Sequence, residues 1–249
     1  ASRLYCYLFA SGKESDFPLH LKKGGAMDTQ LEKLTLSIKE GDSTKIRDML
    51  ATNPELFDQS SPMGVSFLMM ALYYGKEVIA QLIADSHPTL NLFEASALGN
   101  VENIRSWLEK NPDAVNYYSS DGFPPLGLAC FFNRYEAVAL LIEKGAIINA
   151  VSSNVQKVTP LHAAAAANSL ELCTLLLDHG ADVNARQQDD FTPLHAAAQN
   201  GNVELVRLFL RLGAEVNVRT ISGLSPLQLA MASKNKQVIK LILDAGGLE

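Results

Sequence analysis

His162 and His195 are the side chains best suited to proton transfer, and they stand 33 residues apart in one repeated setting. The first lies in Thr159-Pro160-Leu161-His162-Ala163-Ala164, the second in Thr192-Pro193-Leu194-His195-Ala196-Ala197. A general base needs an orienting partner and a substrate or nucleophile within hydrogen-bond reach. Two copies of one setting, sharing no carboxylate, read instead as two copies of one structural device. The three cysteines, Cys6, Cys130 and Cys173, are odd in number and far apart. They make neither a disulfide framework nor a metal-site spacing, and they suit a reducing compartment. Asp189-Asp190 is a pair of acids on a turn, too few donors for calcium. No glycine-rich phosphate loop, HExxH or GxSxG pattern is present. These residues point away from an enzyme, a cofactor, a metal or a small-molecule substrate.

The elements that hold the two histidines are legible from the same motif. It returns a third time as Ser225-Pro226-Leu227-Gln228-Leu229-Ala230, again 33 residues on. Thr or Ser caps a helix, and Pro fits its first turn, where the missing N–H costs nothing. Alanines let that helix pack closely. Asn168 or Gly201 breaks it, and a second helix follows with apolar spacing at Leu205, Val206, Leu208, Phe209 and Leu210. Gly213 ends the second helix, as Gly145, Gly180 and Gly246 end theirs. Ala181-Asp182-Val183-Asn184-Ala185 then forms a polar turn leading to the next cap. Fixed self-similarity at this period means stacked helix pairs rather than one closed globule.

The pattern resembles the ankyrin repeat, strongly over residues 122–249 and in degenerate form upstream. The resemblance implies an all-α solenoid of helix-turn-helix units joined by short hairpin loops. Seven units start near residues 29, 66, 90, 124, 159, 192 and 225. A second regularity supports the degenerate half. Gly41, Ile46, Asn53, Pro54, Ser61 and Gly64 recur 58 residues later as Gly99, Ile104, Asn111, Pro112, Ser119 and Gly122. The connection from Ala84 to Asn91 is too short for a hairpin, so an irregular step is expected there. Ser152 to Val158 carries two extra residues and should bulge. In this family the first-helix histidine is structural. By alignment, Cys130, Cys173 and Trp107 fall in packed positions.

Residues 1–26 stand apart from the array at 27–249. Leu4 to Ala10 faintly resembles a signal-peptide core, and Lys22 to Ala26 reads as a linker. The segment is expected to be an N-terminal extension or derived from the expression vector. As a targeting or anchoring segment it would instead make the chain an exported or periplasmic adaptor that blocks a partner enzyme. With 21 Lys and Arg against 27 Asp and Glu, the net charge is −6. That balance disfavours nucleic acid and anionic membranes. No apolar run approaches the roughly 18–20 residues of a membrane helix. A cytoplasmic, monomeric protein with a protein partner is the expectation.

The resemblance also says where such a partner would sit: the concave groove formed by hairpin tips and the exposed side of the first helices. Repeat phase places Tyr73, Tyr74, Phe131, Phe132, Gln199 and Asn200 on those helices. Tyr118, Phe123, Arg186, Gln188, Asp189, Phe191, Arg219 and Ile221 fall on the hairpins. Aromatic residues in slots that are usually polar are typical hot-spot material. The alternative is that these rings bury one another beside the missing hairpin.

Overall fold

A computed structural model describes residues 29–86 and 89–248. Among them lie fourteen α-helices in seven pairs. In chain order these are α1 (Thr29–Glu40) with α2 (Ser43–Thr52), α3 (Phe67–Tyr73) with α4 (Glu77–Ser86), and α5 (Leu92–Leu98) with α6 (Val101–Lys110). Then follow α7 (Pro125–Phe131) with α8 (Tyr135–Glu143), and α9 (Pro160–Ala166) with α10 (Leu170–Asp178). The last are α11 (Pro193–Asn200) with α12 (Val203–Arg211), and α13 (Pro226–Ser233) with α14 (Lys236–Asp244). The described residues contain no strand beyond one isolated bridge, Ser60 to Ser66. The fold is an all-α solenoid. Residues 1–26, with the calls made on them, lie outside the described residues.

Side chains cap most of the short first helices, which explains why these form; α7 instead starts at Pro125 behind Pro124, with no side-chain cap. Ser66 Oγ accepts from Met69 N, Thr159 Oγ1 from His162 N and Ser225 Oγ from Gln228 N. Asn91 builds a full capping box with Glu94: its Oδ1 accepts from Glu94 N, and Glu94 Oε2 accepts from Asn91 N. Each such cap supplies about 1 kcal/mol that a seven- or eight-residue helix would otherwise lack.

The first helices form one layer and the second helices another, and one continuous core runs between them from Leu34 to Ile242. Polar staples tie successive units together. Asn116 Nδ2 donates to Gly145 O and its Oδ1 accepts from Ile147 N. Asn149, Asn184 and Asn217 repeat that bridge onto Gly180 and Asp182, Gly213 and Glu215, and Gly246 and Leu248. At the far end Lys236 is exposed, where Leu170 and Val203 occupy the same slot in earlier units. A charged side chain suits a unit that no described helix covers.

The 58-residue regularity carries into the backbone. Asn53 and Asn111 leave their helices with φ/ψ of −143°/61° and −139°/74°, and each leads into a 3-10 turn, Pro54–Asp58 or Pro112–Asn116. Ser61 N donates to Val65 O, and Ser119 N donates to Phe123 O. Only residues 87–91 separate α4 from α5, too few for the hairpin carried by other units. The third unit is therefore bare on its hairpin side. The fourth unit's hairpin lies back over the gap, so that Ser120 Oγ reaches Gly64 O of the second unit at 3.0 Å. The outer layer is also interrupted at this step. Adjacent second helices pack on one another elsewhere, but α4 and α6 make at most glancing contact.

Candidate functional site

Both histidines are committed to holding the stack. His162 Nδ1 lies 2.8 Å from Thr159 Oγ1, and its Nε2 lies 3.0 Å from the carbonyl of Phe191 in the next unit. His195 Nδ1 accepts from Thr192 N at 3.1 Å, and its Nε2 lies 3.3 Å from Leu224 O. A carbonyl can only accept, so Nε2 carries the proton and Nδ1 serves as the acceptor. Burial disfavours the imidazolium and lowers each pKa to about 4, outweighing the carbonyl contacts that pull the other way. Neither ring has a nitrogen left for substrate. The Cys130 and Cys173 thiols are buried, and burial raises both well above the usual thiol range. Such thiols are inert rather than nucleophilic. Among the described residues no group of three potential ligands could hold a metal.

The aromatic cluster divides into buried and accessible rings, which corrects part of the expected groove. Tyr73, Phe123 and Phe131 are only 6%, 2% and 4% exposed. Tyr73 sets its ring 5.9 Å from Phe131 and 5.5 Å from Phe132, and its hydroxyl donates to Asp121 Oδ2. Phe123 lies 6.4 Å from Phe131. Rings from the second and fourth units meet across the third unit, which carries only the small Ala97 in that slot. Tyr74 and Phe132 stay half-exposed, with Lys39 Nζ 5.5 Å from the Tyr74 ring centroid. Trp107 departs from its packed expectation too. It is 37% exposed, and its indole N–H donates to Leu90 O at 2.7 Å.

The hairpins form a rim joined by backbone bonds from tip to tip. Ser153 N donates to Gly122 O, Gln188 N to Gln156 O and Ile221 N to Asp189 O, all within 3.0 Å. This approach explains one glycine. Gly122 has φ +85°, and a Cβ there would come within 2.8 Å of Asn154 N. Tyr118, Arg186, Gln188, Asp189, Arg219 and Ile221 are all exposed on this rim. Arg186 pairs with Glu215 at 3.1 Å, and Arg219 Nη1 donates to Gly223 O. Phe191 is half-buried, with its ring 5.0 Å from His195, so it belongs more to the stack than to the surface. Gln199 and Asn200 are exposed at the end of α11. Sequence reasoning overlooked Val155, which is 72% exposed at the tip of the bulged hairpin. A valine inside a two-residue insertion was the available signal.

The fold and its repeating contacts match known proteins. A family model described as ankyrin repeats (3 copies) covers residues 92–187, and a second, ankyrin repeats (many copies), covers 176–230. Together they span more than half of the chain. This chain belongs to the ankyrin-repeat family. It is 27% identical over 174 residues to Target of rapamycin complex 2 subunit AVO2 of Saccharomyces cerevisiae, covering 64% of this chain and 40% of that protein. It is 33% identical to Ankyrin repeat and SAM domain-containing protein 6 of Rattus norvegicus, over 41% of this chain and 11% of that one. Ankyrin repeat protein nuc-2 of Neurospora crassa is 33% identical over 51% of this chain and 12% of its own length. This ankyrin-repeat chain thus spans well under half of these relatives. Ankyrin repeats are generally non-catalytic protein-interaction modules, working through surface recognition. No helix among the described residues is long and apolar enough to cross a membrane.

Proposed function

We propose that this ankyrin array is a non-catalytic binding module whose hairpin rim and adjoining first-helix ends hold a protein partner. One observation carries the reading. Successive hairpins hydrogen-bond tip to tip and present Tyr118, Val155 and Ile221 at 45%, 72% and 78% exposure along one rim. Apolar side chains on a fixed frame bind at low entropic cost, because the frame is ordered beforehand. Arg186, Gln188, Asp189 and Arg219 supply polar contacts between them, while Tyr74, Phe132, Gln199 and Asn200 extend the surface onto the first helices. Tyr73, Phe123 and Phe131 contribute by shaping the support beneath.

A photo-crosslinking amino acid tests this reading when placed at position 221 on the rim or at exposed position 207 on α12. The rim probe is expected to capture a discrete protein, and adding Tyr118→Ser with Val155→Ser is expected to abolish the capture. Equal capture from position 207, or capture that survives both serines, refutes the rim.

A further inference from the structure

The interrupted outer layer leaves a cleft of about 450 Å³ between α4 and α6, lined by Gln81, Ala84, Asp85, Leu98, Asn100 and Asn103 among others. Along α4, Glu77, Gln81 and Asp85 follow at four-residue spacing and form one polar stripe. The two ends of that stripe differ. Glu77 Oε1 receives Arg134 Nη2 at 3.0 Å, from the N-terminal end of α8. The Arg134 stem crosses the turn at Gly99 on its way, and its Nε donates to Ala97 O at 3.0 Å. Gly99 has φ +81°, and a Cβ there would meet the stem at 3.2 Å. The chain itself thus lays an arginine across one end of the stripe. At the other end Asp85 accepts from Gln81 Nε2 at 2.7 Å, and among the described residues it is the one charged side chain lining the cleft. Gln81, Asn100 and Asn103 add uncharged amides around it.

From this arrangement we propose that the cleft between α4 and α6 binds an arginine side chain of a partner polypeptide, with Asp85 as its counter-ion. The guanidinium suits this place because its planar fork satisfies a carboxylate and neighbouring amide oxygens together, which a lysine ammonium does less well. The site is separate from the hairpin rim and stands or falls independently of it.

Trp107 is the only tryptophan of the chain, and its indole N–H bonds Leu90, a cleft-lining residue. Its indole NMR resonance therefore reports on the cleft. The full chain is titrated with acetyl-Ala-Ala-Arg-Ala-Ala-amide and with the counterparts carrying Lys or Gln at the centre. The arginine peptide is expected to shift the Trp107 resonance saturably, with an affinity no tighter than millimolar. Asp85→Asn should weaken it about two- to fivefold, and the exposed control Glu109→Gln should not. The lysine peptide should bind more weakly, and the glutamine peptide should leave the resonance in place. No saturable shift, equal shifts from arginine and glutamine peptides, or an affinity indifferent to Asp85→Asn overturns the proposal. Circular dichroism of each variant separates lost binding from lost fold.

Discussion

Mild acid should weaken this stack through its two histidines. In the unfolded chain an imidazole takes up a proton near its ordinary pKa of 6.5, whereas in the folded chain His162 and His195 resist until about pH 4. Between those values the unfolded state binds more protons, so stability falls as pH falls. Each histidine withdraws about 1.4 kcal/mol by pH 5.5 and about 3 kcal/mol once pH 4 is passed. The geometry shows why the cost cannot be relieved locally. Protonation would place an N–H on Nδ1 of His195, pointing at the Thr192 amide that now donates to it at 3.1 Å.

The protein carries its own control for this experiment. In the last unit Gln228 occupies the histidine slot, and its Oε1 accepts from Ser225 N at 2.9 Å. Replacing His162→Gln and His195→Gln together should therefore keep the caps and remove the titration. Urea unfolding followed by circular dichroism at pH 7.5, 6.5 and 5.5 gives the comparison. The parent is expected to lose about 3 kcal/mol more than the double variant between the first and last pH. Staying at or above pH 5.5 keeps most carboxylates out of the comparison. Parallel curves for the two proteins would refute the claim that these histidines are held neutral by burial.

Other perturbations test the remaining packing claims. Phe131→Ala should cost roughly 3–5 kcal/mol in thermal or urea unfolding, since the ring is buried against Tyr73 and Phe132. Ile221→Ser should stay within about 0.5 kcal/mol of the parent in the same assay. Asn184→Ala removes the bridge to Gly213 and Glu215 and should cost about 1–3 kcal/mol. Native-state hydrogen exchange should find α1 to α4 opening at lower free energy than α7 to α12, because outer-layer packing is interrupted between α4 and α6.

Periodicity made the C-terminal half of this molecule readable. Thr159, Thr192 and Ser225 announce their helices through capping chemistry that acts within three residues, so a local pattern suffices. The short connection before Asn91 also announced an irregular step, because chain length limits what a segment can span. What that step would do to its neighbours was not local. Tyr73 and Phe131 occupy a slot that is exposed at Gln199 but buried at Ala97 and Ala166, so what surrounds the slot, and not the slot itself, decides burial. The Asn116, Asn149, Asn184 and Asn217 staples went unread for a related reason. Their partners are backbone groups one unit away, which leave no mark on residue type.

The same omission has opposite effects on the two sides of the array. On the hairpin side the fourth unit folds back, and the Ser120–Gly64 bond with the Tyr73–Asp121 bond ties the second unit directly to the fourth. On the outer side nothing among the described residues closes the gap, and α4 and α6 part around Asp85. Arg134 spans both situations: it reaches from the fourth unit to Glu77 of the second while its stem seals the turn at Gly99. Removing it should therefore act on shape more than on the core. Arg134→Ala exposes Gly99 and frees Glu77, an ion pair worth at most about 1 kcal/mol at its exposed end, plus the bond to Ala97 O. If Arg134 braces the second unit against the fourth, this variant should speed hydrogen exchange in α3 and α4 while leaving α9 to α12 unchanged. Uniform acceleration along the whole array would mean that the brace has no local role.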